Sequence, residues 1–156
     1  QATQQQIVTK LRTHPTLLER VKRLKTIAGV GDITALTWAL EIGDPHRMPS
    51  IGDAVSYCGL TSALVESADK PHRGPLSKQR NPYLQTVLIE AANLAPRWNP
   101  QLAAAYERES QHGHRNRATL EVARKLVAYL LAVDKSGKPF QARTPAPPET
   151  EVKPAA

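Results

Sequence analysis

Two serines set among cations are the residues of this sequence best suited to chemistry on phosphate. The stretch ESADKPHRGPLSKQRN, residues 66–81, places Lys70, His72, Arg73, Lys78 and Arg80 around Ser67 and Ser77. Cations spaced along one segment can each contact a phosphate, and each contact adds to a salt-dependent affinity. Serine hydroxyls beside them can donate to phosphate oxygens. A serine can also attack phosphorus, but only when a base or a metal activates it. No base stands next to either serine in sequence, and Glu66 and Asp69 do not make a metal site on their own. His72 is the one histidine whose charge would respond to a bound phosphate. By composition alone the stretch binds a polyanion and has no visible means of cutting one.

A second candidate is Ile27-Ala28-Gly29-Val30-Gly31, followed by Asp32-Ile33-Thr34-Ala35. Gly29 and Gly31 allow positive φ and a close approach of backbone to another group. The first N–H groups of the helix that follows have no intrahelical partner, and a phosphate suits that place. Ile27, Gly29, Val30, Gly31 and Ala35 resemble the helix-hairpin-helix motif of DNA-binding proteins. The alternative is a tight helix–helix turn that meets no ligand. Other chemistry-bearing residues have simpler readings. His112-Gly113-His114 has no carboxylate or cysteine at ligand spacing, so it reads as a solvated loop. His14 and His46 read as turn residues. Trp38 falls inside a helix and reads as core, while Tyr83 and Trp98 lie near helix ends and suit either base stacking or partial burial. No metal site is expected within this chain.

The elements that must position these residues are helices. The 156 residues suggest one domain with flexible ends. Aromatics are only 4% and hydrophobic residues 40%, so Leu, Val, Ile and Ala must build the core, which favours an all-α domain. Net charge is +7 and the pI about 9.8, which favours a nucleic acid or an anionic membrane surface as partner. No apolar run approaches the roughly 18 residues of a membrane span, and no signal-peptide pattern opens the chain. The single Cys58 excludes an internal disulfide framework and a cysteine-rich zinc site, and fits a reducing cytosol. The chain opens on Gln1 rather than Met, which suggests a piece of a longer protein.

Periodicity predicts helices over about 4–12, 16–26, 33–41, 50–58, 82–95, 100–111 and 117–133. Their apolar stripes include Leu17, Leu18, Val21 and Leu24, then Ile33, Leu36 and Leu40, then Ile51, Ala54, Val55 and Cys58. The clearest stripe, Leu84, Val87, Leu88, Ala91, Ala92 and Ala95, predicts a central helix. Ser50 with Asp53 forms a capping box, and Asn81-Pro82 and Asn99-Pro100 are N-cap and N1 signals. Gly43 and Gly59 close helices. Residues 1–15 read as the end of an upstream, coiled-coil helix, 16–133 as the helical domain with a long basic loop, and 134–156 as a disordered Pro-rich tail.

The order of these segments resembles the C-terminal transposase domain of the IS-one-ten insertion-sequence family, recombinases guided by a bridge RNA. The family's run has a Gly-rich hairpin, an E-I-G-D helix end, a helix closing on G-L, a loop with S-S-G-G-K, a glycine, a [ST]-K-x-G-N element and a helix beginning L-R. Here these are residues 29–34, 41–44, 59–60, 66–70, Gly74, 77–81 and Leu84-Gln85. The match covers roughly residues 24–133. The resemblance implies that Ser67 attacks a DNA phosphodiester and forms a covalent 5′-phosphoserine link. It implies that Ser77 is a phosphate-contacting or structural hydroxyl, and that Lys70, Arg73, Lys78 and Arg80 hold the DNA backbone. The helix-hairpin-helix resemblance adds Gly29 and Gly31 as expected nucleic-acid contacts. Magnesium would be held by four acids of a separate RuvC-like domain, so the domain alone would hold half of an active site and be inactive. DNA, a bridge RNA and further copies of the protein are the implied partners. Glu66, Ala68, Asp69, Arg80 and Gln85 depart from the family's pattern. Two other classes stay open: a pure DNA- or RNA-binding module, and a multimerisation domain whose helices near 81–95 and 117–133 pack on copies of themselves.

Overall fold

Local signals open four of the helices. Asn81 and Asn99 each accept from the two N–H groups that follow the proline, at 3.0–3.3 Å. Ser50 and Asp53 close a reciprocal capping box. Pro15, Pro82 and Pro100 stand where a missing N–H costs nothing. The computed structural model describes residues 13–67, 70–76 and 81–142, with Gln6 and Thr9; over 62–76 it is the backbone that is described. Six α-helices are found among the described residues: α1 (Pro15–Leu24), α2 (Asp32–Ile42), α3 (Ile51–Tyr57), α4 (Pro82–Leu94), α5 (Pro100–Ser110) and α6 (Arg115–Ser136). Short 3₁₀ turns cover Pro45–Arg47 and Ala95–Arg97. The body is all-helical, as the composition predicts. Of the helix expected over 4–12, Gln6 and Thr9 are helical and the rest lies outside the described residues.

α6 is the centre of the body and packs on α1, α3, α4 and α5, while α2 packs on α1 and α4. Val122, Ala123, Leu126, Val127, Leu130 and Leu131 of α6 are buried against Leu84, Leu88 and Ala92 of α4 and Leu102 of α5. Burial of large aliphatic side chains, each contributing about 1.5–3 kcal/mol, drives this assembly. Leu84, Leu88 and Ala92 of α4 and the apolar stripe of α6 are thus covered by the chain's own helices, while Leu94 at the end of α4 is exposed.

The basic stretch differs from the expected long loop. Residues 62–76 form an antiparallel ribbon of two strands, β1 (Ser62–Ser67) and β2 (Lys70–Leu76). Pairing satisfies backbone groups that a loop would leave to water. Pro71 and Pro75 hide the strand in the sequence, because proline removes a ladder donor and is tolerated only at edges or bulges. Both strands here are edges, and a register irregularity falls between Ser62 and Leu64.

Two further differences concern the core. Ile33, Leu40 and Ile51 are exposed rather than inward. Leu36 is buried as expected, with Ala35, Trp38, Ala39 and Ile42, and the Trp38 indole donates to Asp134 of α6 at 3.0 Å. The ordered body also runs past 133. α6 continues to Ser136, Gly137 ends it with φ 65°, and the chain then folds back. There the Phe140 ring meets Tyr129, centroids 4.9 Å apart, and the Phe140 N–H donates to Thr26 Oγ1 at 2.8 Å. Residues 143–156, read from sequence as disordered, lie outside the described residues.

Candidate nucleic-acid interface

Ser67 is the last residue of β1, and its partner across the ladder is Lys70. The backbone therefore brings the candidate serine and the first cation of the stretch to one end of the ribbon, as directly opposed residues. His72 pairs with Val65, and Arg73 with Leu64, further down. Ala68 and Asp69, which link the strands, and Ser77, Lys78 and Arg80, expected as phosphate contacts, lie outside the described residues.

The root of the ribbon is held by groups that sequence reasoning missed. On the incoming side Leu60 is fully buried, and Gly59 takes φ 71°. The Gly59 carbonyl accepts from Gln85 Nε2 at 2.8 Å, and the Leu60 carbonyl from Arg124 Nε at 2.9 Å. On the outgoing side the described chain resumes at Asn81, whose N–H donates to the Tyr57 carbonyl at 3.0 Å. Asn81 Nδ2 donates to Glu41 Oε2 at 2.6 Å, and Tyr57 OH to the Glu41 carbonyl at 3.3 Å. The Arg47 guanidinium lies 5.0 Å from the Tyr57 ring centroid. Gln85, a departure from the family's arginine, is thus a hydrogen-bond donor to the ribbon's root. The sequence signal was present, since Asn81 and Gln85 sit in the first turn of a capped helix, but their partners are 40 and 26 positions away.

The glycine turn between α1 and α2 is elsewhere. It packs against the C-terminal end of α4, whereas the ribbon is rooted at the N-terminal end. Thirteen helical residues separate the two, about 20 Å at 1.5 Å per residue. The glycine turn and the ribbon's root are therefore at opposite ends of α4. Gly29 has φ 97°, and a Cβ there would stand 2.6 Å from Ala95 Cβ. Its need for glycine is met by the protein's own packing. Asn99, buried as the cap of α5, donates from Nδ2 to the Ala28 carbonyl at 3.2 Å and fixes the turn. Gly31 is exposed, has an ordinary φ of −94°, and a Cβ there would meet nothing within 4 Å. Beside the turn lies an open groove of about 420 Å³ lined by Gly31, Ile33, Val87, Glu90, Leu94 and Trp98. Trp98 is 71% exposed on its rim.

These facts separate the two glycines by experiment. Gly29→Ala is expected to lose about 3 kcal/mol of stability, from strained φ and overpacking on Ala95. Gly31→Ala is expected to stay within about 0.5 kcal/mol, as exposed substitutions do. Denaturant melts of the two variants check this. A small effect at Gly29 would mean that the Ala95 contact relaxes freely.

Other candidates resolve simply. Cys58 is buried, and burial pushes its thiol up to about 12, so it is no competing nucleophile. His112 and His114 are exposed around Gly113, and among the described residues no three His, Cys, Asp or Glu side chains come together as a metal site. Tyr83 is exposed and Trp38 is core. No helix among the described residues is long and apolar enough to cross a membrane.

The family described as Transposase IS116/IS110/IS902 matches residues 21–107, which is more than half of the chain and includes the glycine turn, the ribbon and α4. The chain belongs to that family. Its relatives agree. It is 27% identical over 146 residues to a 43.6 kDa protein of insertion element IS110 from Streptomyces coelicolor, covering 93% of this chain and 35% of that protein. It is 29% identical over 86 residues to a protein of Sinorhizobium fredii described as a transposase, y4qE, covering 55% and 22%. It is 28% identical over 78 residues to a protein of Pseudomonas aeruginosa described as a family 20 transposase, covering 50% and 23%. The chain spans about a third or less of the length of these relatives.

Proposed function

We propose that this transposase-family domain supplies the serine nucleophile for DNA strand cleavage and transfer, and that the nucleophile is Ser67. The observation that carries the reading is the placement of Ser67 at the end of the ribbon, opposite Lys70. In the reaction Ser67 Oγ bonds to phosphorus as the bond from phosphorus to the 3′ oxygen breaks. The serine proton passes to a base, and the released 3′ oxygen takes one up. The product is a 5′-phosphoserine link with the phosphodiester energy retained for the reverse transfer. Lys70, with Arg73, Lys78 and Arg80, offsets charge on the pentacovalent phosphorus and holds the flanking backbone. On this reading magnesium belongs to acids of a RuvC-like domain elsewhere in the transposase, and a bridge RNA selects the DNA. The described residues of this chain offer no cluster of three His, Cys, Asp or Glu side chains to hold the metal. Gly31 and the first turn of α2 add a second backbone contact some 20 Å from the ribbon's root, in the manner of a helix-hairpin-helix.

The test is to trap the intact transposase on nicked target DNA, digest the adduct and sequence the DNA-bearing peptide. The expected peptide carries its phosphodiester on Ser67. A transposase that binds the DNA but yields no adduct peptide from this domain leaves the domain a binding module only.

A further inference from the structure

Among the described residues the two strands of the ribbon carrying Ser67 pack mainly on each other, and a two-stranded ribbon alone is marginally stable in water. β1 has six residues, so its end stands about 20 Å from its root at some 3.3 Å per residue. At that length a rotation of about 3° at the root moves the end by about 1 Å, a displacement that costs roughly 100-fold in a positioned reaction. What fixes the root therefore removes this source of displacement at Ser67.

We propose that Asn81 and Glu41 are positioning residues that act through the ribbon, with Asn81 as the member that joins the helix before the ribbon to the helix after it. Asn81 does three things at once. Its Oδ1 accepts from the N–H groups of Tyr83 and Leu84 and starts α4. Its own N–H binds the Tyr57 carbonyl, which ties the start of α4 to the end of α3, the helix that leads into the ribbon. Its Nδ2 binds Glu41 Oε2 at 2.6 Å, a short bond to a half-buried carboxylate at the end of α2. Charge-assisted bonds of this kind are the strong ones. The Glu41 backbone carbonyl takes the Tyr57 hydroxyl as well, so α2 holds both sides of the root. A pure helix cap would need only the Oδ1 contact; the bond to Glu41 contributes nothing to capping.

That difference supplies the experiment. The functional half of the proposal rests on Ser67 as the nucleophile, and the structural half does not. In the intact transposase Asn81→Asp keeps the cap, since aspartate caps as well as asparagine. It replaces the donor to Glu41 with a second carboxylate at hydrogen-bond distance, and like charges so placed repel. Adduct formation at saturating DNA is expected to fall about 100-fold. Hydrogen exchange of peptides covering residues 57–61 and 81–85 is expected to quicken. The double variant N81D/E41Q restores the bond with donor and acceptor exchanged, the introduced amide donating to the introduced carboxylate, and is expected to regain most of both. N81D behaving as the parent in both readouts would overturn the proposal, and so would a double variant no better than N81D. If Ser67→Ala retains the adduct, the nucleophile assignment falls, and the exchange experiment still decides the clamp.

Discussion

Ser67→Ala in the intact transposase is expected to abolish the protease-sensitive protein–DNA adduct, a loss on the order of 10³-fold or more, as removal of a nucleophile does elsewhere. Nothing else described at the end of the ribbon replaces the hydroxyl. Cys58 is buried with its thiol pushed up to about 12. DNA binding is expected to survive, because one hydroxyl contributes roughly 1 kcal/mol of hydrogen bonding. Ser77→Ala is the matched control. If Ser77 only contacts phosphate, its loss slows adduct formation by about tenfold at most. The pair is read on one gel, by adduct yield against time on the same DNA. An adduct that persists in Ser67→Ala and vanishes in Ser77→Ala would move the nucleophile to the second serine.

Asp134→Ala is expected to destabilise the helical body strongly. The Asp134 side chain is 2% exposed and takes both oxygens into one bidentate pair with Arg20, at 2.8 and 2.6 Å. Its Oδ2 also accepts from the Trp38 indole at 3.0 Å. The carboxylate thus joins α1, α2 and α6, and its removal leaves a largely covered guanidinium and a buried N–H unpaired. Breaking one partner of a buried pair costs about 3–5 kcal/mol. For a domain of this size that is a fall of roughly 10 °C in Tm. Replacing the whole set, as in Arg20→Met/Asp134→Leu/Trp38→Phe, removes the unpaired groups along with the pair and is expected to recover much of the loss. Thermal melts of the single and triple variants give the comparison. A single variant within about 1 kcal/mol of the parent, read as about 3 °C, would show that the triad contributes little.

The helices were legible because their signals are local. Asn-Pro pairs, the Ser50–Asp53 box and the stripe from Leu84 to Ala95 each act within a few turns. Boundaries from sequence fall within a few residues of Pro82–Leu94, Pro100–Ser110 and Ile51–Tyr57. The misses are of another kind. Ile33 and Leu40 obey helical spacing, yet a helix with apolar residues on two sides offers two stripes, and only its partners choose between them. Asp134 carries a charge, which reads as the end of a helix, until Arg20 arrives from 114 positions away.

What the sequence determined by itself was the list of chemical groups and their order: serines among cations, glycines at a helix start, and the run of segments that marks the family. Those depend on residue type and short spacing, which the chain carries whether folded or not. The tertiary structure decided how they are used. It paired Ser67 with Lys70 at the end of a ribbon, and it set the glycine turn at the far end of α4 from the ribbon's root. It made Gly29 a packing residue against Ala95, and it gave Glu41, Asn81, Gln85 and Arg124 a common task. Each of those outcomes beyond the ribbon is a contact between residues distant in the chain, and such contacts exist only once the helices have buried their apolar faces together.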